Sequence, residues 1–332
     1  MMQLIWRKIE TQDADKKMST PVVEVAAAVL QGSDGRFLLT QRPAGKVYAG
    51  YWEFPGGKIE SGESPLHALR RELHEELGVE LIEAYPWLTR VFTYPHATVR
   101  LNFFRVVRWQ GEPHGRENQS LSWQTGLELT VGPLLPANEP ILRALQLPSV
   151  YAISNVAGLG PDEFLRRLQH ALHNGLRLVQ VREKNLLRDD LRSLSVRVVE
   201  MAHEYVARVL LNGDEELARE AGADGVHLSS AQLAACAVRP DVKWCAASCH
   251  DAAELQKASG LGLDFVVLGP VLPTQSHPGA SHLGWEKFAS LAAGAEIPIY
   301  ALGGLSNEDL VTAQQCGAHG IALLSQAWRG GS

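Results

Sequence analysis

The sequence predicts an α/β protein of two domains, the second a closed (β/α)8 barrel. The chain has 332 residues, and at roughly 150 residues per domain this length favours two units. A stretch rich in proline and leucine, residues 134–149, separates two patterns of different kind. From residue 150 onward, short apolar runs alternate eight times with segments of helical periodicity. Eight such repeats predict a barrel whose functional groups lie at the carboxyl ends of its strands.

We place the domain boundaries at residues 21–147 and 150–329. Residues 1–20 are expected to be an extension, either disordered or preceding the true start at Met18. In the first domain, residues 22–30, 37–40 and 99–107 have the apolar character of strands. The eight predicted barrel strands are 150–154, 178–182, 209–213, 225–229, 243–249, 265–271, 298–304 and 320–325.

The composition excludes several classes of protein. Hydrophobic residues make up 45% and charged residues 20% of the chain, as in globular proteins. A net charge of −6 argues against binding of duplex nucleic acid. No apolar run approaches the ~20 residues of a membrane span, and the N-terminus lacks a signal-peptide core. The cysteines form no C-x-x-C pair, which favours a reducing, cytoplasmic setting; they are Cys236, Cys245, Cys249 and Cys316.

One helix carries an unusual group of carboxylates. Ser64 is a good N-cap, Pro65 suits the first helical position and Gly78 suits the residue after the end, so we predict a helix over 65–77. Glu72, Glu75 and Glu76 then share one side. Like charges at this spacing repel unless a cation neutralises them. Hard carboxylate oxygens are the ligands that Mg²⁺ prefers, so the helix predicts a metal site beside substrate phosphates.

The same stretch, 57–79, resembles the Nudix box, G-x5-E-x7-R-E-U-x-E-E-x-G-U with U aliphatic, at every fixed position. This resemblance implies an α/β/α sandwich that hydrolyses a nucleoside diphosphate linked to another group. The segments 52–58, 108–117 and 136–140 are similar to those of the MutT-type 8-oxo-dGTP diphosphatases, and the likeness covers about residues 22–145. The expected reaction releases a nucleoside monophosphate and pyrophosphate with Mg²⁺ or Mn²⁺.

The resemblance implies a role for each matching residue. The metal ligands would be the Gly56 carbonyl together with Glu72, Glu75, Glu76 and Glu117, and Glu72 would be the general base. The substrate-binding residues would be Arg42 and Lys58 at the phosphates and Phe54 and Asn138 at the base. Catalytic roles in this domain therefore fall to Glu72 and Glu117.

The role of Asn138 agrees with its chemistry. Guanine presents two acceptors, O6 and N7, whereas 8-oxoguanine carries a hydrogen on N7. One Asn amide offers a donor and an acceptor side by side, which matches 8-oxoguanine and not guanine. Taken alone, an asparagine in Ala-Asn-Glu-Pro is more often a turn residue.

The second domain, 150–328, resembles the thiamine phosphate synthase and thiazole tautomerase (TenI) superfamily. The similar segments are 179–184, 225–228, 268–274 and 301–305, which lie at predicted strands two, four, six and seven. The resemblance implies a phosphorylated thiazole or pyrimidine ligand. Its expected contacts are Arg182, Lys184, Asn212, Thr274, Gly303, Gly304 and Ser325.

Two departures from the synthases stand out. Gly213 follows Asn212 where the synthases have a metal-binding Asp, and residues 229–232 read Ser-Ser-Ala-Gln instead of Gly-Gln-Glu-Asp. Synthase activity is therefore not expected. His250 is similar to the tautomerase histidine that moves a proton, and its alternative role is helix capping or packing beside Asp251.

Three hypotheses remain open. The chain is an 8-oxo-dGTP diphosphatase with a TenI-like barrel, a Nudix hydrolase of a thiamine-pathway pyrophosphate, or a hydrolase regulated by a barrel that only binds a ligand. The barrel itself could be a tautomerase, a binding relic or a scaffold. The first hypothesis implies a role in cleaning the nucleotide pool, and hence in DNA repair and replication fidelity. The sequence does not determine the oligomeric state.

Overall fold

The chain, described here from a computed structural model, contains the two predicted α/β domains. The description covers residues 22–32, 34–126, 129–274 and 281–329. The expected extension over residues 1–20 lies outside this range. No helix within the described ranges has the length and apolar character needed to cross a bilayer.

The N-terminal domain contains two sheets. The larger consists of β1 (Val22–Leu30), β4 (Gly56–Lys58), β5 (Glu80–Tyr94) and β6 (Ala97–Gln110) in the order β4-β1-β6-β5. Strand β1 runs parallel to β6, while β4 and β5 are antiparallel to their neighbours. The smaller, antiparallel sheet has the order β3-β2-β7. Its strands are β2 (Phe37–Gln41), β3 (Trp52–Glu53) and β7 (Leu121–Gln124).

Helix α1 spans Pro65–Leu77, as the caps predict. The Ser64 side chain accepts a hydrogen bond from the His67 amide at 3.3 Å, and Gly78 has the left-handed φ of 68° that favours glycine. The helix buries one apolar stripe against the sheet and leaves its acidic side facing away from that core. The buried stripe consists of Ala68, Leu69, Leu73 and Leu77.

Strand β1 lies between two helices, which explains its continuous apolar run. Ala26, Ala28 and Leu30 pack on the α1 side. On the opposite face, Ala27 and Val29 pack in one cluster with Ile141 and Ala144 of α2 (Glu139–Leu145), which follows a short 3-10 helix (Pro136–Asn138). The expected sandwich is thus confirmed.

The C-terminal domain is a closed, all-parallel barrel of eight strands. Each predicted strand is present, with no end shifted by more than three residues. The strands are β8 (Val150–Ile153), β9 (Leu178–Val181), β10 (Arg208–Asn212), β11 (Gly225–Leu228), β12 (Trp244–Cys249), β13 (Phe265–Leu268), β14 (Ile299–Leu302) and β15 (Gly320–Leu323).

Helices surround the barrel and pack on the outer faces of its strands. They are α3 (Val156–Leu159), α4 (Pro161–His173), α5 (Arg188–Glu204), α6 (Glu215–Glu220), α7 (Ser230–Ala235), α8 (Ala252–Gly260), α9 (Gly284–Ala292) and α10 (Leu310–Gln315), with 3-10 turns at Asn307–Asp309 and Ser325–Trp328. Large aromatic side chains fill the barrel interior, among them Tyr151, Phe265 and Tyr300. The barrel is therefore a packed core and not a pore.

The first domain sits against the amino-terminal ends of the barrel strands. Arg105 of β6 donates hydrogen bonds to the His319 carbonyl at 2.9 Å and contacts His319 Nδ1 at 3.1 Å. Its guanidinium lies 4.6 Å from the centre of the Trp87 ring. Complete burial lowers the pKa of Arg105 to about 10.

A second group of contacts surrounds Trp244 at the start of β12. Arg143 of α2 and Arg208 of β10 lie over its ring at 4.3 and 4.6 Å from the ring centre. Arg143 also donates from Nε to Asp264 Oδ1 at 2.5 Å. The last helix of the first domain is thus attached directly to the barrel.

Candidate active sites

The N-terminal domain has a cavity of about 680 Å³ between its two sheets and α1. Most of the predicted site residues of this domain line it. They are Arg42, Phe54, Gly56, Lys58, Glu72, Glu76, Glu117 and Asn138.

Glu72 lies against the backbone of β4. A Cβ atom built on Gly57 would be 2.2 Å from the Glu72 carboxyl carbon, so only glycine allows the carboxylate this position. On the neighbouring residue, the Gly56 amide points to Glu76 Oε2 at 3.4 Å. Gly56 and Gly57 therefore bring strand β4 and helix α1 into close contact.

Glu76 is the most perturbed carboxylate of this group. Burial, and then the negative charge of Glu72, raise its pKa to about 7, and the charge of Glu117 adds to this rise. The Lys46 ammonium and the Gly56 amide act in the opposite direction. Three carboxylates thus act on one another inside one cavity.

Arg71, the arginine of the box motif, holds this arrangement together. It donates to Glu63 at 2.9 Å, to Glu72 at 2.8 Å and to the Lys58 carbonyl at 3.0 Å. Its hydrogen bonds to Glu63 and then Glu72 raise the pKa of Arg71. Its role is to fix the loop 58–63 to helix α1.

Glu75 differs from the other predicted metal ligands. Its side chain is 55% exposed and lies 3.4 Å from Arg71 Nη1, and it does not line the cavity. The structure thus brings Glu72, Glu76 and Glu117 to the cavity and leaves Glu75 at its outer side.

Two cations at the cavity are already paired. Arg42 Nη1 donates to both carboxylate oxygens of Glu53 at 2.6 and 2.8 Å. Lys46, which sequence reasoning missed, contacts Glu117 at 2.7 Å, and that hydrogen bond raises the pKa of Lys46. Lys46 stands alone in an exposed loop, so no local pattern signals it.

Asn138 is buried, with 4% of its surface exposed. It precedes α2 but makes no side-chain capping hydrogen bond. Its amide nitrogen Nδ2 has no hydrogen-bond partner within the described ranges. Buried polar atoms are nearly always paired, so this donor, which lines the cavity beside Ala137 and Leu135, is open to a ligand.

The donor set of this cavity fits a divalent cation. No group of three His, Cys, Asp or Glu side chains is already assembled for a metal in the described residues. However, the carboxylates of Glu72, Glu76 and Glu117 share the cavity with Glu53, and the hard oxygens of such groups suit Mg²⁺ or Mn²⁺.

The barrel has a second cavity, of about 760 Å³, at the carboxyl ends of its strands. All of the predicted barrel residues line it: Arg182, Lys184, Asn212, His250, Thr274, Gly303, Gly304 and Ser325. None of its lining residues in the described ranges is Asp or Glu, whereas Arg182, Lys184 and Arg329 supply positive charge. This composition suits an anion.

His250 is held by the backbone on one side. Its Nδ1 lies 2.6 Å from the Gly269 carbonyl, and because a carbonyl only accepts, this nitrogen carries the hydrogen. Nε2 is then the basic nitrogen of the neutral ring. The capping role belongs to Asp251, whose side chain accepts from the Glu254 amide.

His227 was not predicted as a site residue, although it lies in the segment 225–228 that resembles the family. This buried histidine contacts the Tyr151 hydroxyl at 3.2 Å and Ser248 Oγ at 3.0 Å. Burial, and then the charge of Arg182, lower its pKa to about 3, so the ring is neutral. A histidine inside a short apolar strand looks like a packing residue, which is why the pattern gave no signal.

Position 213 carries no side chain for a structural reason. Gly213 has a φ of 69°, and a Cβ there would meet the Gln232 side chain at 2.5 Å. Gln232 Nε2 donates to the Gly213 carbonyl at 2.7 Å and forms a capping box with Ser229. Position 213 therefore packs against a neutral amide, and neither Gly213 nor Gln232 supplies a carboxylate.

The fold and the sites together define a chain with two enzyme-type domains, one acidic in its cavity and one basic. Comparison with known proteins gives their families: the chain belongs to the NUDIX domain family over residues 21–145 and to the thiamine monophosphate synthase family over residues 150–327. The N-terminal domain is accordingly a Nudix hydrolase.

Individual relatives match one domain each. An 8-oxo-dGTP diphosphatase of Haemophilus influenzae is 38% identical over 128 residues, which is 39% of this chain and 94% of that protein. A CTP pyrophosphohydrolase of Escherichia coli is 39% identical over 37% of this chain and 90% of its own length. A putative thiamine-phosphate synthase of Aquifex aeolicus is 34% identical over 54% of this chain and 98% of its own length.

Proposed function

We propose that the N-terminal domain hydrolyses 8-oxo-dGTP to 8-oxo-dGMP and pyrophosphate. The observation that carries the proposal is the buried, unpaired amide nitrogen of Asn138 in the same cavity as three carboxylates. Removing this nucleotide from the pool would protect replication and support DNA repair. The four free cysteines fit a cytoplasmic setting.

The Asn138 amide distinguishes the oxidised base from guanine. Its Nδ2 can donate to O6 while its carbonyl accepts from N7–H, whereas guanine would place its bare N7 against the carbonyl. An unmatched buried polar group can reduce the use of the wrong substrate by about 10⁴–10⁵-fold. Phe54, which is buried in the wall of the cavity, supplies an apolar surface near the base.

The acidic part of the cavity would hold Mg²⁺ or Mn²⁺ through Glu72, Glu76, Glu117 and the Gly56 carbonyl, with Glu75 at its outer side. The bound cation would neutralise phosphate charge and favour loss of a proton from water. Glu72, fixed by Arg71 and by the close approach of Gly57, accepts the proton from the attacking water. Lys46, Lys58 and Arg42 balance the remaining phosphate charge.

The variant Asn138→Ala tests base recognition. We expect kcat/KM for 8-oxo-dGTP to fall by about 10²-fold, as the loss of two buried hydrogen bonds predicts, and kcat/KM for dGTP not to fall, because the substitution also removes the carbonyl that faces the bare N7 of guanine. Pyrophosphate release is measured with 8-oxo-dGTP, dGTP and CTP, and orthophosphate release is measured with hydroxymethylpyrimidine pyrophosphate, whose phosphoanhydride yields a monophosphate and orthophosphate. dGTP serves as the internal control for the integrity of the carboxylate group.

The same panel decides between the substrate classes. A preference of the wild type for CTP or for hydroxymethylpyrimidine pyrophosphate would refute the assignment. So would equal losses with 8-oxo-dGTP and dGTP in Asn138→Ala.

For the barrel we propose binding of a phosphorylated thiazole, with His250 as the group that moves a proton. The support is a cavity with three cations and no acidic lining residue in the described ranges, and a basic Nε2 on His250. The relatives of this domain are named thiamine-phosphate synthases. We propose nevertheless that the synthase reaction is absent, because a pyrophosphate leaving group needs metal carboxylates that Gly213 and Gln232 do not supply.

Thermal denaturation of the full chain tests this proposal. Millimolar thiazole phosphate should raise the unfolding midpoint of the wild type by several degrees, as binding to the folded state requires. Arg182→Met should abolish the shift, and Arg166→Met, on the exposed face of α4, should retain it. The absence of a shift in the wild type would favour a scaffold, and formation of thiamine phosphate from the two synthase substrates would refute the view that synthase activity is absent.

A further inference from the structure

The barrel contacts the helix that follows the base-reading residue. Asn138 is the last residue of the 3-10 turn and stands directly before α2, whose residue Arg143 reaches the barrel. The two residues are five positions apart, or roughly 7.5 Å along a helix axis. Any movement of α2 is therefore a movement of Asn138.

The Asn138 side chain is not fixed by a hydrogen bond of its own amide nitrogen, so its position depends on the backbone. On one side, the backbone is held by strand β3, since Leu135 donates to the Trp52 carbonyl at 3.0 Å. On the other side lies α2, which has only seven residues. Helices this short are marginal without tertiary contacts.

The contacts of α2 within its own domain are apolar. Ile141 and Ala144 are its buried residues, in a cluster with Phe54 and Phe103. Its partly buried residues Leu142 and Leu145 pack at the edge of the same cluster. The opposite side of the helix is attached to the barrel by Arg143, which donates from Nη2 to the Lys243 carbonyl at 2.6 Å in addition to its contact with Asp264. Just after the helix, the Gln146 carbonyl accepts from Arg208 at 2.7 Å.

Asp264, the residue of the barrel that binds Arg143, is held in place by several hydrogen bonds. The Asp264 side chain is 5% exposed, and its second oxygen accepts from Arg239 at 2.9 Å and from the Cys245 amide at 2.7 Å. The guanidinium groups of Arg143 and Arg208 both lie over the Trp244 ring. A carboxylate held from several directions keeps its partner guanidinium in one place.

We propose that Arg143 is a positioning residue for nucleotide selectivity: its contact with Asp264 and Trp244 of the barrel fixes α2 and thereby places Asn138 against the base. The inference rests on the proposed function of the first domain. It gives the barrel a role in the hydrolase that needs no barrel ligand. Binding groups must be placed within about 0.5 Å to act well, so loss of this anchor reduces selectivity before it reduces turnover.

The test uses the full chain with Arg143→Met, and the measurement is the ratio of kcat/KM for 8-oxo-dGTP to that for dGTP. We expect the ratio to fall at least five-fold, through a higher KM for 8-oxo-dGTP, while kcat stays within two-fold because the carboxylates on α1 are untouched. Asp264→Asn removes the charge of the partner and should lower the ratio in the same direction.

Arg105→Met is the matched control. It removes another arginine from the same domain contact, but on β6 instead of α2, so it should lower the unfolding midpoint and leave the ratio within two-fold. An equal fall of the ratio in Arg105→Met would overturn the proposal in favour of general loosening. An unchanged ratio in a folded Arg143→Met protein would also overturn it.

A variant that does not fold and a failure of the proposed function can both be recognised. If Arg143→Met does not fold, Arg143→Lys, which keeps the charge but loses the second donor, takes its place, and an unchanged ratio there counts against the proposal. A wild-type ratio near one would refute the proposed function of the first domain, whereas a high wild-type ratio with an unchanged variant refutes only the role of Arg143.

Discussion

At the residue scale, the site depends on positions where a side chain is absent as much as on those where one is present. Gly57 lets the Glu72 carboxylate lie against β4, and Gly213 leaves room for Gln232 in the barrel. Both glycines are visible in the sequence, but what occupies the freed space is not. That information comes from the packing of one segment on another.

Replacing Gly57 by Ala should therefore damage catalysis and spare stability. The new Cβ would lie 2.2 Å from the end of a flexible side chain, so Glu72 swings away and the backbone stays in place. Since a displacement of about 1 Å at a reacting group can cost 10²-fold, we expect kcat for 8-oxo-dGTP to fall by about 10–100-fold. Steady-state kinetics and the thermal midpoint are measured together.

The control for Gly57→Ala is Gly126→Ala in the same domain. There, the nearest atom to a new Cβ is the Leu145 carbonyl oxygen at 3.7 Å, an ordinary contact. Full activity in Gly57→Ala, or a midpoint that falls as much as the activity, would show that Glu72 does not need this position.

The sequence predicted some site residues and missed others for definable reasons. Asn138 was predicted because its amide matches 8-oxoguanine and not guanine and because the surrounding segments resemble a known family, and it lines the cavity. Lys46 was missed because its partner, Glu117, lies 71 positions away in the sequence. His227 was missed because it lies in a short apolar strand that has the pattern of a buried core strand. Long-range pairings leave no trace in local spacing.

At the scale of elements, helix caps and apolar runs in the sequence predicted most of the helices and strands discussed above. The caps of α1 predicted both of its ends, and the eight apolar runs of the barrel each became a strand. Strand β5, 15 residues long, was not predicted. It contains Pro86 and several charged residues, and its pairing with β6 has register shifts around Glu83 and Pro86. Proline and irregular register are what weaken a strand pattern.

The same strand shows why the domain contact could not be predicted. Arg105 and Trp87 look like ordinary alternating residues of a half-exposed sheet, yet they meet His319 of the barrel. Likewise, Arg143 in a short helix reads as a solvated charge. Only the arrangement of the two domains shows that these side chains are partners.

At the scale of the whole molecule, the two cavities lie apart. The first domain contacts Trp244, Asp264 and His319, which stand at the starts of barrel strands, whereas the barrel cavity lies at the strand ends. The strands between them are buried and tightly packed. A ligand in the barrel cavity therefore does not reach α2.

We accordingly expect the two sites to work independently. Millimolar thiazole phosphate should change kcat/KM for 8-oxo-dGTP by less than two-fold in the full chain. The measurement is pyrophosphate release with and without the phosphate, at an ionic strength held constant. A larger effect that disappears in Arg182→Met would support the alternative hypothesis of a hydrolase regulated by its barrel.

The contact of Arg143 and Arg208 with Trp244 has a consequence for the separate expression of the two domains. Cutting the chain near residue 148 would separate Arg143 from the Trp244 indole and Arg105 from His319. Each half would then expose side chains that are buried in the domain contact of the full chain. We therefore expect the two halves to aggregate when they are expressed separately. Mixing them should restore a non-aggregating complex of the two domains.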